Sequence, residues 1–232
     1  MLRCNNSNWT ERRSARKCAE GTAERTKAKS RRPPMHEVFV EGGLIRKLWS
    51  VETNAYRDHL LRLDAESRRN RFGGAIADET IRKYASMSRG PNVVLHGYFV
   101  DGVLRGVADL RIIGPIYRRE AEAAFSIEKP WQSHGIGSAL LERSLLAARN
   151  RGIKHLHVSC LTDNQRMQQL ARKFEAELSF DFGTVVGKVE NPLPTPLSVM
   201  REMVVDGHSF AAACVDYQSR LFKPPAKALA TT

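Results

Sequence analysis

Between residues 121 and 152 the hydrophobic pattern changes period once, and that change constrains everything around it. Residues 121–127, AEAAFSI, are a short and mostly apolar run suited to a strand. A turn at Lys129-Pro130 follows, then Gln132-Ser133-His134-Gly135-Ile136-Gly137, then a helical pattern, SALLERSLLAAR, that stops at Gly152. Residues 153–161 predict the next strand. Strand, helix and strand in this order make a crossover. The two strands should therefore lie parallel, joined by a right-handed connection.

The glycine-containing string sits where a helix begins. A helix N-terminus offers backbone N–H groups without internal partners and the positive end of the dipole. Glycines let the chain turn tightly and let a ligand approach the backbone. The combination predicts an anion site, most often one for phosphate. A dinucleotide fingerprint requires a third glycine at position 140, where Leu140 stands, so a nicotinamide site is disfavoured.

The order strand, Q-x-x-G-x-G, helix, strand, then Asn164 at the next helix start resembles the GNAT superfamily of acyl-CoA-dependent N-acetyltransferases. The resemblance covers residues 93–180 well and residues 38–92 loosely. It implies an α+β fold: a mixed, mostly antiparallel central sheet with one splayed parallel strand pair and flanking helices. It also implies acetyl-CoA as co-substrate, its pyrophosphate held by the loop and its pantetheine arm entering between the splayed strands. Gln132, Gly135 and Gly137 match the family signature, and Ser133, His134, Ile136 and Ser138 complete the loop and helix start. His134 is expected to face solvent there. The backbone N–H groups of Phe125, Ser126 and Ile127 are expected to serve the pantetheine and the oxyanion. Asn164 is expected to cap its helix and, by the resemblance, to touch the coenzyme.

In such a reaction a neutral amine attacks the thioester, and a carboxylate can take its proton. Glu122, on the strand that should line the thioester, is the first candidate. Glu120, on the same strand face, is the second; the plain alternative is that both are surface carboxylates. Many family members carry a Tyr as general acid at a position that here is Ala171. No Tyr acid is therefore carried over, and Tyr117 and Tyr98 are the substitutes to consider. The run Asn164 to Lys173 also resembles bacterial protein-lysine acetyltransferases. The expected function is acetyl transfer from acetyl-CoA to a primary amine of a small molecule or a protein lysine, by direct attack. The alternative is a catalytically degenerate domain that senses an acyl-CoA.

The remainder of the chain sets the organisation. Residues 1–34 hold ten Lys or Arg against three acids, a net +7, leaving +5 of the total +12 for the rest. With so few large apolar side chains this basic extension is expected to be disordered. A nucleic-acid or membrane tether, an organellar targeting peptide and a plain extension with Met35 as initiator stay open, and composition favours the last. Residues 35–190 are expected to form the acetyltransferase domain and residues 191–232 a C-terminal helical extension that covers the sheet or makes a homodimer. No apolar run is long enough to span a membrane, no signal peptide is apparent, and no nucleic-acid module is recognisable. A cytoplasmic protein without membrane or nucleic-acid partners is expected. Cys4, Cys18, Cys160 and Cys214 lack metal-ligand spacing and should be reduced thiols. His155 and His157 form an H-x-H pair without a third ligand nearby, so no metal is expected.

Within the domain, residues 37–40 predict a strand broken by Glu41-Gly42-Gly43. Residues 55–63 predict a helix and Asp78 the cap of a further one; Arg68, Arg69 and Arg71 read as a solvated charged loop within residues 67–74, a segment that the resemblance places beside the acceptor pocket. Residues 93–100 and 103–113 flank Asp101-Gly102 and predict a hairpin. Residues 179–189 predict one closing strand, and residues 197–222 a long helix.

Overall fold

The computed structural model describes residues 39–40, 42–114 and 119–222. Residues 1–38, the basic extension included, lie outside the described residues, as does Tyr117. Among the described residues, eight strands form one sheet: β1 (Phe39–Val40), β2 (Gly43–Lys47), β3 (Val93–Val100), β4 (Val103–Ile113), β5 (Glu120–Ile127), β6 (His155–Leu161), β7 (Glu177–Asp181) and β8 (Thr184–Glu190). Their order is β1-β2-β3-β4-β5-β6-β8-β7, antiparallel everywhere except for β5 and β6, which are parallel. The helices are α1 (Thr53–Arg62), α2 (Ala65–Phe72), α3 (Asp78–Ser86), α4 (Ile136–Asn150), α5 (Gln165–Lys173) and α6 (Pro196–Phe222).

The β3–β4 hairpin forms as its sequence predicts. Asp101 and Gly102 both take positive φ, 50° and 73°, which is the primed turn that matches strand twist. The parallel crossover through α4 is also present. Alternation along the strands then sorts the core into two layers. Leu110, Ala121 and Ala123 pack with Leu141, Ala147 and Ala148 of α4, and Met167 and Leu170 of α5 join them, with Phe174 just beyond that helix. On the opposite face Leu95, Phe99 and Val107 pack with Tyr56 and Leu60 of α1 and Ile81 and Ala85 of α3.

Three expectations are corrected. Gly43 opens a strand instead of ending one, and β2 pairs with β3 from Leu44 to Lys47. A Cβ on Gly43 would meet the Tyr98 ring at 2.3 Å, so the glycine is there for close packing. Residues 179–189 hold two antiparallel strands, turned at Phe182-Gly183, where both residues have positive φ. Residues 67–74 are largely helical: Asp64 caps α2 by accepting from the Ser67 N–H, and Gly73 ends it at φ 79°. Helix α6 packs on α4 and β2, held by Lys47–Asp206 at 2.8 Å and Arg151–Glu202 at 2.7 Å. Yet its Met200, Met203, Val204 and Phe210 remain exposed.

Candidate active site

The parallel pairing of β5 and β6 is short. It runs from Glu120–His155 to Glu122–His157, and beyond it the strands part. The backbone of residues 124–127 therefore faces a gap on one side. Glu128 N–H donates to the Arg105 carbonyl of the neighbouring chain segment at 2.9 Å, and Gly106 is opposite Ile127. By antiparallel alternation, Ser126 bonds to β4, while the N–H and C=O groups of Phe125 and Ile127 turn toward the gap.

That gap opens into a cleft of about 670 Å³. Its floor is Phe125, Ser126 and Ile127, and its far end is Gln132, Ser133, Gly135, Gly137 and Ser138 at the start of α4. Asn164 and Met167 at the start of α5 form one wall, and Ser67 and Asn70 of α2 form another. Two helix N-termini, those of α4 and α5, thus border one cavity. Gly135 takes φ 79°, a left-handed conformation natural to glycine. Gln132 is pinned: its Nε2 donates to the Ile127 carbonyl at 2.9 Å and to Ser67 Oγ at 3.1 Å, and its Oε1 accepts from Arg166 at 2.6 Å. Asn164 caps α5 by accepting from the Met167 N–H at 3.1 Å. Lys129, Arg166 and Lys173 stand on the cleft wall and suit an anionic ligand.

Two residues of the loop do not line the cleft, His134 in keeping with its expected solvent-facing position. His134 is exposed outside it, and the Ile136 side chain is buried in the core with Tyr98 and Leu140. Helix geometry directs Ile136 inward because it opens α4, whose apolar face seats on the sheet. Tyr98, a candidate acid, is fully buried in that same cluster and does not reach the cleft.

Glu122 and Glu120 lie outside the cleft lining, on the sheet face covered by α1 to α3. Glu122 is half-buried, opposite Arg111 on β4 and His157 on β6. Glu120 Oε2 lies 3.7 Å from His157 Nε2. Next to this row stands Asp109, 1% exposed. It accepts from Tyr56 Oη at 2.8 Å, Tyr84 Oη at 2.7 Å, Arg71 Nη2 at 3.0 Å and Arg111 Nη2 at 3.0 Å. One carboxylate thus ties all three helices of this face to β4. Burial, and then the Asp109 charge, push the Tyr56 phenol well above its ordinary range, so it remains a donor. The expected solvated role holds for Arg69, which is exposed, but not for Arg71 or Arg68. Arg71 is buried on Asp109, Arg68 bonds to Asp78 and to the carbonyls of Leu61 and Leu63, and Arg69 reaches Asp163 at 2.6 Å.

A second buried network was not anticipated from the sequence. His59 of α1 is fully buried, with Nε2 3.0 Å from Ser126 Oγ and Nδ1 3.3 Å from Glu128 Oε1. Arg62 and Arg105 donate to the same Glu128 carboxylate at 3.0 and 2.9 Å. Burial alone would raise Glu128, but its hydrogen bonds from His59 and Arg105 and the Arg62 charge outweigh it and hold it at about 2. Burial pushes His59 down, against the pull of Glu128. The contacts join residues 67 and 69 positions apart, so no local motif announces them.

Among the described residues, no three His, Cys, Asp or Glu side chains converge as metal ligands, and no helix is long and apolar enough to cross a membrane. Cys160 is a buried free thiol and Cys214 an exposed one.

A glycine loop on a helix N-terminus, beside a parallel strand pair that splays open, defines an acyl-CoA-dependent acetyltransferase architecture. The chain matches the acetyltransferase (GNAT) family over residues 45–175 and belongs to that family. Among solved structures it is similar to the GNAT domain of S. lividans PAT, at 20% identity and a TM-score of 0.57, over 64% of this chain and 90% of that one. It is similar to a GNAT-family acetyltransferase from Streptococcus pneumoniae, at 18% identity and a TM-score of 0.53, over 65% and 99%. It is also similar to a putative acetyltransferase from Salmonella typhimurium solved with its cofactor acetyl-CoA, at 15% identity and a TM-score of 0.50, over 65% and 95%.

Proposed function

We propose that this protein transfers the acetyl group of acetyl-CoA to a primary amine, of a small molecule or a protein lysine, by direct attack of the amine on the thioester. The observation that carries this reading is the splay between β5 and β6. It leaves the N–H groups of Phe125 and Ile127 directed into a cleft that ends at the α4 N-terminus. A thioester carbonyl lying there meets two fixed donors as its oxygen becomes an oxyanion, while the anionic end meets the N–H groups of residues 135–138. The Salmonella protein's acetyl-CoA supports the choice of donor.

Glu122 is assigned as the base. It shares the α1–α3 face with Asp109 and Arg111, across the sheet from α4, so an amine entering between α2 and β6 comes to its carboxylate directly or through a water. Glu120 is the second choice. Its place beside His157 fits a supporting charge. Placing both substrates in one cleft supplies much of the rate gain.

The alternative, an acyl-CoA sensor without turnover, draws on Ala171. That residue is 3% exposed and packed in the core, so no acid stands there for the leaving thiolate. A thiol with pKa about 8.5 leaves adequately unaided, which favours turnover. Residues 35–190 are assigned as the catalytic domain, residues 191–232 as an extension, and the compartment as the cytoplasm. A homodimer through the exposed apolar side of α6 is the proposed assembly, and gel filtration tests it. The deciding experiment for function is thiol release from acetyl-CoA across polyamines, antibiotic amines, amino acids and lysine peptides. One class should accelerate release; acetyl-CoA binding without acceleration by any of them would leave the sensor.

A further inference from the structure

We propose that Ser126, His59 and Glu128 form a nucleophilic triad that gives the enzyme a second activity, acyl-CoA hydrolysis through an acyl-Ser126 intermediate. The inference rests on the reading that acetyl-CoA is the ligand of the cleft.

The argument begins with hydrogen-bond roles. Glu128 is ionised and can only accept, so the His59 nitrogen facing it, Nδ1, must carry the proton. His59 Nε2 is then the unprotonated nitrogen, and at 3.0 Å it accepts the Ser126 hydroxyl proton. Burial lowers His59, which keeps the ring neutral and its Nε2 lone pair available. A serine hydroxyl on an imidazole lone pair, with the other ring nitrogen donating to an acid, is the arrangement that activates serine for acyl transfer. Arg62 and Arg105 fix the acid, so Glu128 orients the ring and does not compete for its proton.

Placement is the second line of support. Ser126 lines the acyl-CoA cleft, whereas His59 is shut away from solvent behind it. Ser126 also lies between the two residues whose N–H groups turn into the gap, Phe125 and Ile127. Nucleophile and oxyanion donors thus come from three consecutive residues. The contrast with His96 is informative. That histidine is equally buried, yet its Nδ1 has no hydrogen-bond partner among the described residues. His59 has one on each nitrogen, and one of them is in the cleft.

The steps balance. Ser126 Oγ forms a bond to the thioester carbonyl carbon while its proton passes to His59 Nε2. The carbon–sulfur bond breaks, and His59 returns that proton to the thiolate, releasing free coenzyme A. Water then attacks the ester, giving a proton to His59 and releasing the carboxylic acid as the proton returns to Ser126 Oγ. This route operates when the acceptor side holds no amine.

The test uses the full-length protein with acetyl-CoA and no amine. Thiol release is followed with time, and acid-quenched samples are mapped by peptide mass spectrometry. Acetyl-CoA binding is followed in parallel by the rise in melting temperature. Steady thiol release is expected, with one acetyl group on the peptide carrying Ser126. Ser126→Ala and His59→Gln should each reduce release by about a hundred-fold or more. The double variant should lose no more than either, because the two residues act together. Ser126→Cys provides a second route if Ser126→Ala fails to fold, and it should accumulate the acetyl group on Cys. Absence of release and of acetyl-Ser126 in wild type that binds acetyl-CoA would overturn the triad, as would an unchanged rate in Ser126→Ala. Amine-dependent transfer would survive either result. Failure of acetyl-CoA to bind would overturn both readings together.

Discussion

Asp109→Asn is the perturbation that most directly tests how the face under α1 to α3 is built. Asparagine keeps the size of the side chain and removes the charge. Four donors converge on the carboxylate, two from tyrosines and two from arginines. The decisive partner is Arg71, whose side chain is only 6% exposed, so it is left as a buried cation without its anion. Arg111 is 25% exposed and can turn to water. Removing one member of a buried ion pair typically destabilises by about 3–5 kcal/mol. At roughly 2–4 °C per kcal/mol for a domain of this size, the melting temperature should fall by about 6–20 °C. Tyr56→Phe removes one hydrogen bond to a charged group and should destabilise by about 1.5–3 kcal/mol. Adding Arg71→Met to Asp109→Asn should recover part of the loss, because the stranded charge is gone. Urea denaturation of wild type, Asp109→Asn, Arg71→Met and the double variant measures the coupling. If Asp109→Asn lost less than about 1 kcal/mol, or if the double variant lost the sum of the singles, Arg71 would not depend on Asp109.

Three further outcomes are expected. Gly135→Glu places a negative side chain at a left-handed position on the α4 N-terminus, where a Cβ meets no neighbour; it should fold but lose the thermal shift with acetyl-CoA, and undiminished binding would mean that the anion sits elsewhere. Glu122→Gln should lower kcat/KM for the amine about a hundred-fold to ten-thousand-fold with acetyl-CoA affinity nearly unchanged, and a larger effect of Glu120→Gln would move the base to Glu120. Burial depresses His96 from 6.5 to about 3, so the unfolded chain binds its proton first and stability should fall as pH drops below 6.5, by at most about 1.4 kcal/mol per pH unit from this residue; His96→Leu should flatten the curve between pH 6.5 and 5, above the window from 4.5 to about 2 in which Glu128 acts with the same sign, and an unchanged slope in urea titrations would refute the assignment.

What could be read from the chain was local. The β3–β4 turn, the loop at residues 132–137 and the cap at Asn164 each announce themselves within a few residues, since their conformations depend on φ, on capping oxygens and on period. Helix α2 was misjudged because Arg68, Arg69 and Arg71 read as a solvated charge run. Its signals were nonetheless there, an Asp64 cap three residues before Ser67 and Gly73 at the end. The turn at Phe182-Gly183 was overlooked because a bulky residue at φ 30° is not a recognised turn former. Apart from Arg111, the partners of Asp109, like those of His59, come from elements tens of residues away. Nothing in a buried Asp or His reveals in sequence which partner the fold will bring to it.

The short seam between β5 and β6 gives the molecule a built-in incompleteness. Among the described residues, backbone pairing at the seam is limited to residues 120–122 with 155–157 and to the Arg119 carbonyl, which accepts from Lys154 and His155, whereas β6, β8 and β7 hold each other along their lengths. A ligand lying in the gap therefore supplies edge-to-edge cohesion that the polypeptide itself lacks. A ligand that binds the folded chain and not the unfolded one stabilises it, so a donor seated in this gap is expected to strengthen the join between β5 and β6.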